Sequence, residues 1–292
     1  MTKRLSGVLL ACLLAAGGSL GARQSGGSSF DSNGVPIHYV DRGRGEAVVL
    51  IHGFTGSQER HFGAPGIIGA LETAGYRAIA LDCRGHGQSG KPTDPAQYGL
   101  EMVRDVVRLL DHLKIDRAHI VGYSMGGAIA NQVLIQYPKR VASITLVGAG
   151  WAGEDLGLMK SQLQALADGF AKKDASALIR GVTAGQAPPT DAEIAALNAA
   201  LFARNDPDAL AAVARGMISL LEVPASSLRA VKVPIQAIVG EHDASNVESV
   251  KRMTGVVPKF AIVEIPGATH STSVRLSAPH IVAFLNRQRT GG

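Results

Sequence analysis

The sequence predicts an α/β fold: a doubly wound, mostly parallel β-sheet with helices on both faces and an inserted helical cap. Apolar, β-prone runs alternate with helical patterns along the chain, which is typical of this class. Most runs are continuously apolar, as expected for strands buried on both faces of a parallel sheet. One long interval without a strand-like run, residues 153–222, carries several helix signals and indicates the insertion.

The predicted strands follow a Gly/Ser-rich lead that ends near residue 34. The first, VPIHYVDRG at residues 35–43, has the features of an antiparallel edge strand and turn. The continuous apolar runs predict the parallel strands, at residues 47–53, 76–82, 118–124, 143–150, 234–240 and 260–267.

Helical periodicity is clearest at residues 100–113. Its apolar side chains recur along one face: Met102, Val103, Val106, Leu109, Leu110 and Leu113. Residues 278–288 show a second such pattern and predict a helix near the end of the sequence.

Residues 153–222 carry specific helix-start signals. Thr190 with Glu193 matches a capping box, and Asp206 followed by Pro207 matches an N-cap with proline in the first turn. We therefore predict a core from residues 22–152 and 223–292, with residues 153–222 as its cap. An insertion at the strand ends lies above the place where such sheets bind ligands, so part of its apolar surface is expected to line a pocket.

The first residues predict a targeting segment. Lys3 and Arg4 precede a short apolar run and then small residues, which is typical of a secretory signal peptide spanning residues 1–21, cleaved near Gly21 or Ala22. The run is too short for a membrane span. An alternative is a lipoprotein signal, LLAC, in which Cys12 would carry the lipid. Either reading predicts export to the periplasm or the extracellular space.

Charge and cysteine content exclude several classes of function. The formal net charge is +5, and removal of residues 1–21 would lower it by two, to +3. The basic residues are scattered, so no nucleic-acid partner is predicted. Without Cys12 the only cysteine is Cys83, which allows neither an internal disulfide nor a cysteine metal site. No cofactor or metal is predicted, and oligomeric state is left open.

The segment GYSMG, residues 122–126, matches the G-x-S-x-G nucleophile elbow. A predicted strand ends before it and small helix-forming residues follow it, which is the context this motif requires. Gly122 and Gly126 would let neighbouring backbone pass closely, while the tight turn lifts Ser124 clear of the sheet. The sequence therefore predicts Ser124 as the nucleophile, in a strained backbone conformation.

A serine nucleophile needs a base, and the base needs an acid to orient it. In this architecture the acid and then the histidine follow later strands. Asp243 follows the strand predicted at 234–240, and His270 follows the one at 260–267, so we predict them as acid and base. Glu241 and Asp155 are the alternative acids. His242 and His280 are the less favoured histidines, the first in the acid loop and the second in the final helical pattern.

The negative charge of a tetrahedral intermediate needs two backbone donors. One is expected from the residue after the nucleophile, Met125, and the other from the loop after an earlier strand. In the segment IHGFTGS this second donor is predicted to be the N–H of Phe54.

Five segments in this order, HGFTGS, LDCRGHGQSGKP, VGYSMGG, VGEHD and GATHS, resemble the α/β-hydrolase superfamily and its members with a helical lid. The resemblance extends from about residue 35 to the end of the sequence, although the lid matches only in position and helical character. Within the second segment Gly85, Gly87 and Gly90 also spell G-x-G-x-x-G, but prolines follow at once where a nucleotide loop would open a helix. We interpret it as a structural turn in which Cys83 is a buried packing residue.

The resemblance implies acyl transfer, because haloalkane dehalogenases and epoxide hydrolases of this superfamily carry aspartate where this chain has Ser124. A carboxylic ester or lactone of small to medium size is the predicted substrate. The alternatives are a carbon–carbon bond hydrolase of ring-fission products, which also tends to carry S-M-G-G, and a cofactor-free perhydrolase. A ligand sensor with slow turnover is the alternative from a different class.

Overall fold

Eight strands form one sheet in the computed structural model, which describes residues 27–183 and 188–289. The strands are β1 (Ser28–Ser32), β2 (Val35–Gly43), β3 (Ala47–Ile51), β4 (Arg77–Leu81), β5 (Ala118–Tyr123), β6 (Val141–Val147), β7 (Ile235–Gly240) and β8 (Phe260–Ile265). Their order is β1-β2-β4-β3-β5-β6-β7-β8. Strands β3 to β8 pair in parallel, whereas β1 and β2 are antiparallel to their neighbours. The predicted fold class is confirmed.

Continuous apolar sequence explains the central strands. Every residue of β3, β5 and β7 is buried, as expected where helices cover both faces of a parallel sheet. Strand β8 ends the sheet and leaves most of its residues exposed or half-buried. The six predicted parallel strands are confirmed, with ends that differ by up to three residues.

The prediction for residues 35–43 was wrong in one respect, because β2 is not an edge strand. It pairs with β4 on one side and with β1 on the other, so β1 occupies the edge. Asn33 and Gly34 connect β1 to β2 with φ of 60° and 83°. Positive φ at both turn residues matches the right-handed twist of a hairpin, and Asn-Gly is its common sequence.

Twelve α-helices surround the sheet in the described residues. They are α1 (Ile67–Thr73), α2 (Leu100–His112), α3 (Met125–Gln136), α4 (Gly157–Ala171), α5 (Ser176–Val182), α6 (Asp191–Phe202), α7 (Pro207–Gly216), α8 (Ile218–Leu221), α9 (Ala225–Arg229), α10 (Ala244–Thr254), α11 (His270–Leu276) and α12 (Ala278–Arg289). The five residues of the predicted apolar face that lie on α2 are buried, and Leu113, just after the helix, is half-buried. No helix within these ranges is long and apolar enough to cross a membrane.

Along the chain, helices α4 to α9 all follow β6 and precede β7. No strand interrupts them in the described part of this interval. The predicted Thr190–Glu193 capping box is present, and the Asp206 side chain accepts from the N–H of Ala209. Helices α4 to α7 share a hydrophobic cluster centred on the fully buried Phe170. The limits of a cap at residues 153 and 222 remain a prediction.

The predicted signal peptide, its cleavage near Gly21 or Ala22 and the lipidation of Cys12 all lie outside the described residues.

Candidate active site

Ser124 stands at the turn between β5 and α3, where it adopts φ 52° and ψ −114°. A side-chain-bearing residue at positive φ is strained, so the predicted strain at this position is confirmed. The glycines explain how the turn fits. A Cβ on Gly122 would lie 2.2 Å from the carbonyl oxygen of Gly126, and one on Gly126 would lie 2.0 Å from that of Ile51.

The structure brings Ser124, Asp243 and His270 together. The Nε2 atom of His270 lies 3.1 Å from the Oγ of Ser124, and its Nδ1 lies 2.7 Å from Oδ2 of Asp243. Asp243 directly precedes α10 and His270 is the first residue of α11, so each follows a parallel strand. The carboxyl ends of β5, β7 and β8 therefore supply all three side chains.

These distances define one hydrogen-bonded chain. Because an ionised carboxylate only accepts, the Nδ1–H of His270 donates to Asp243, and its Nε2 lone pair faces the hydroxyl of Ser124. Asp243 is 6% exposed, so water screens its charge weakly. The arrangement can move a proton from the serine to the imidazole and stabilise the resulting positive charge.

One further side chain, which was not predicted, holds the acid. The Nδ2 of Asn246 donates to Oδ1 of Asp243 at 2.8 Å and lies 3.2 Å from Nδ1 of His270. Asn246 is in the first turn of α10, three residues after the carboxylate. Both oxygens of Asp243 are therefore engaged, one by the histidine and one by this amide.

The alternative acids and histidines take other partners. Glu241 accepts from the N–H of Gly267 at 2.7 Å, and Asp155 accepts from the N–H of Gly157 at 3.1 Å. His242 is exposed and His280 lies on α12. None of the four hydrogen bonds to Ser124 or His270 in the described ranges.

The two amides predicted to stabilise an oxyanion belong to the residues after Ser124 and after Gly53. Met125 begins α3, so its N–H has no acceptor within the helix. The loop after β3 packs on the nucleophile, because a Cβ on Gly53 would lie 3.2 Å from the Cβ of Ser124. The N–H of Phe54, the next residue, meets no acceptor in the part of the chain that the structure describes.

Tyr123 packs against the proposed base, His270. Its ring stacks on His270 with centroids 5.2 Å apart, and its hydroxyl donates to the carbonyl oxygen of His270 at 3.2 Å. Burial raises the pKa of Tyr123, so the phenol stays protonated and continues to donate.

The Gly85–Gly90 segment forms the predicted turn. Lys91, which follows it, donates to the carbonyl oxygens of Gly87 and Ser89 within that segment. Cys83 is buried and burial raises the pKa of its thiol well above the usual value, which suits a packing role. Its N–H donates to Nε2 of the buried His52, so this turn is joined to the loop that carries Phe54.

The chain resembles known proteins in sequence and in fold. A family model described as the alpha/beta hydrolase fold matches residues 46–242. The chain is 39% identical over 135 residues to a 2-hydroxy-6-oxo-6-phenylhexa-2,4-dienoate hydrolase of Comamonas testosteroni, covering 43% of this chain and 44% of that protein. The alignment thus spans less than half the length of this curated relative.

Solved structures resemble the whole fold at low sequence identity. A hydrolase of Pseudomonas aeruginosa has a TM-score of 0.72 at 22% identity, covering 90% of this chain and 99% of that one. A bromoperoxidase of Bacillus anthracis has a TM-score of 0.71 at 22% identity, covering 89% and 99%. At such identity the likeness extends to the fold alone.

Proposed function

The chain belongs to the α/β-hydrolase family, and from this premise we propose that it is a serine hydrolase of carboxylic esters or lactones of small to medium size. The observation that carries the proposal is the chain of hydrogen bonds from Asp243 through His270 to Ser124, at 2.7 and 3.1 Å. A serine at the elbow favours acyl transfer over the chemistry of relatives that use a carboxylate there.

The geometry supports a two-stage reaction. His270 Nε2 takes the proton of Ser124 as Oγ attacks the ester carbonyl, and the carbonyl becomes a tetrahedral oxyanion. The bond to the alkoxy group then breaks and the imidazolium returns its proton to the departing alcohol. Water enters, loses a proton to the same nitrogen and attacks the acyl-enzyme. The bond to Oγ then breaks, Oγ takes the proton back from the imidazolium, and the acid leaves.

The oxyanion would be stabilised by the amides of Met125 and Phe54. Donors fixed before reaction need no reorganisation when the charge develops. In comparable sites each donor lowers the barrier by about 3 kcal/mol. Asp243 orients the imidazole and stabilises its positive charge during both stages.

The surroundings of the nucleophile limit the size of the substrate. Ser124 is half-buried, and the ring of Phe54, in the loop that packs on it, lies edge-on to Phe170 of α4 with ring centroids 5.5 Å apart. This aromatic pair between the loop and α4 supports an enclosed, apolar acyl site.

A p-nitrophenyl ester series from acetate to long acyl chains, together with lactones, tests the proposal. We expect many turnovers per enzyme on short or medium substrates and about 10⁴-fold or greater loss in Ser124→Ala with the fold retained. Full activity in Ser124→Ala would remove the assignment. A single turnover followed by arrest would instead favour the ligand-sensor alternative.

The second candidate is hydrolysis of a carbon–carbon bond beside a ketone. It is favoured by the 39% identity to a hydrolase whose named substrate is a 6-oxo acid. Assaying 2-hydroxy-6-oxo-6-phenylhexa-2,4-dienoate against p-nitrophenyl acetate decides between the two. A higher kcat/KM for the dienoate would replace the ester proposal, whereas no turnover of it would exclude this candidate.

Export remains a proposal from the sequence of residues 1–21. N-terminal sequencing of the protein recovered from fractionated cells would test it, with a mature end near residue 22 as the expected result. Retention of the full N-terminus inside the cell would contradict it.

A further inference from the structure

The ring of His61 fills the inside of the loop that presents the Phe54 amide. We call residues 53–56, between β3 and the π-helical turn Glu59–Gly63, the oxyanion loop. The N–H of Gly53 donates to Nδ1 of His61 at 3.2 Å. A Cβ on Gly56 would lie 2.1 Å from Cε1 and 2.5 Å from Nδ1 of the same ring. The loop therefore wraps around one imidazole and contacts it at both ends.

His61 is itself fixed against the nucleophile's strand. Its ring meets Tyr123 edge-on, with centroids 4.8 Å apart and planes at 81°. The ring of Tyr123 also stacks on His270. Three rings thus connect the oxyanion loop, the residue before Ser124 and the base.

The hydrogen bond requires a neutral His61 whose proton is on Nε2. Burial lowers the pKa of His61 well below its usual value, and the nearby His52, Arg60, His270 and His86 lower it further. A neutral ring leaves the Nδ1 lone pair free to accept from Gly53.

The peptide that carries the Phe54 N–H is held at its carbonyl oxygen, where the N–H of Gly56 donates at 3.2 Å. Nδ1 of His52 donates to the carbonyl oxygen of Gly53 at 2.8 Å, and this oxygen shares a peptide plane with the N–H of Phe54. The bond to His61 fixes the other side of Gly53. Glycine has the largest backbone freedom of any residue, so its two dihedral angles need external restraint to aim the next amide.

We propose that His61 is a positioning residue of the oxyanion hole, which accepts from Gly53 and thereby directs the Phe54 N–H toward the tetrahedral intermediate. This inference rests on the proposed serine hydrolase function. A residue that only packs would be replaced adequately by another ring, whereas a positioning acceptor would not.

Two substitutions separate the acceptor from the ring. His61→Phe keeps a ring against Tyr123 and Gly56 but has no acceptor. His61→Asn loses the ring and places Oδ1 near the position of Nδ1, so it can still accept from Gly53. The assays are kcat and KM on p-nitrophenyl acetate and the second-order rate at which a fluorophosphonate labels Ser124.

We expect His61→Phe to lower kcat about tenfold or more while KM changes less than about twofold, because the interaction lost acts on the transition state. His61→Asn should recover most of kcat, and the labelling rates should follow the same order. Wild-type kcat in His61→Phe, or equal losses in both variants, would overturn the proposal. Circular dichroism and unfolding temperature establish that each variant is folded.

A measurement on the unmodified protein keeps the test independent of folding in the variants. Nitrogen-15 NMR of labelled histidine should show His61 neutral at pH 7 with its proton on Nε2. A proton on Nδ1 would also overturn the proposal. If Ser124→Ala abolishes both labelling and turnover while His61→Phe alters neither, this inference fails and the proposed function stands.

Discussion

The ring of Phe54, in the oxyanion loop, lies edge-on to the ring of Phe170 on α4, with centroids 5.5 Å apart and planes at 75°. The adjacent residue makes a second link, since Nδ2 of Asn205 donates to the carbonyl oxygen of Thr55 at 3.4 Å. The oxyanion loop is therefore held on one side by His52 and His61. On the other side it is held by the helical segment that follows β6 in the chain. A shift of that segment would be transmitted to a proposed catalytic donor.

Truncating Phe170 should affect both stability and rate. We expect Phe170→Ala to lower the free energy of unfolding by about 3–5 kcal/mol, because the side chain is fully buried. It should also lower kcat about tenfold through the released Phe54. Phe202→Ala is the matched control. It removes a half-buried ring on the same cluster, whose centroid lies 6.2 Å from that of Phe170. Urea unfolding and ester kinetics measure the two effects, and a stability loss without any change in kcat would refute the coupling.

Removing the amide that holds Asp243 should reduce the rate without changing substrate binding. Asn246→Ala loses the 2.8 Å bond to Oδ1, and we expect kcat to fall about tenfold, as for one hydrogen bond to a charged group. Asp243→Asn should cost far more, about 10⁴-fold. Ser245→Ala, at the exposed neighbouring position, serves as the control and should match the wild type. Equal kcat in Asn246→Ala and wild type would show that the amide is dispensable.

The elbow glycine should be intolerant of even one methyl group. Gly126→Ala would place a carbon 2.0 Å from the carbonyl oxygen of Ile51, and we expect a loss of about 3 kcal/mol or more in unfolding free energy. Gly69→Ala in α1 meets no atom within 4 Å and should be neutral or stabilise by about 0.5–1 kcal/mol. Thermal and urea unfolding of the pair provide the comparison, and similar stabilities would contradict the close packing described for the elbow.

Acid should destabilise the fold through buried neutral histidines. Burial, with the nearby His52, lowers the pKa of His86 to about 3, and the same cause lowers the pKa of His52 and His61. The unfolded chain, with a histidine pKa of about 6.5, therefore binds protons first as the pH falls. The contribution of these neutral histidines to the free energy of unfolding is present above pH 6.5 and is lost as the pH falls below it. For His86 alone the loss between pH 7 and pH 5 is about 2 kcal/mol.

Urea unfolding at pH 7 and pH 5 measures this loss. His86→Asn removes the titrating ring but can still donate to the carbonyl oxygen of Arg84, which His86 Nδ1 contacts at 3.1 Å. Its stability should fall by about 2 kcal/mol less than that of the wild type over the same range. An identical decrease in both proteins would show that His86 is not the group responsible.

Much of this architecture could be predicted because its signals are local. Continuous apolar runs identify buried parallel strands, and a serine between two glycines after such a run identifies the elbow. Asp243 and His270 could be placed because each directly follows a strand whose carboxyl end meets the same sheet edge. The positions of Ser124, Asp243 and His270 thus follow from fold topology.

The features that escaped prediction depend on packing between distant segments or on a weaker local signal. Strand β1 was not predicted because it lies in the Gly/Ser-rich segment before β2. Asn33-Gly34 is nevertheless a hairpin signal that marks its end. Nothing in the sequence places Phe170 against Phe54, more than 100 residues away, since that contact depends on how the helices dock. Asn246 and His61 are near their partners in sequence, but their roles depend on side-chain direction at a helix start and in a π-helical turn.

The pairing of β3 with β5 sets Ile51 opposite Gly122. The turns that follow these residues lead to the Phe54 and Met125 amides, so both proposed donors are placed by a shared alignment of neighbouring strands. Adding or removing a single residue in β3 would displace Phe54 by about 3.3 Å and turn each side chain to the wrong face. Residues 47–51 should therefore accept exchanges of similar apolar side chains far more readily than any change of length.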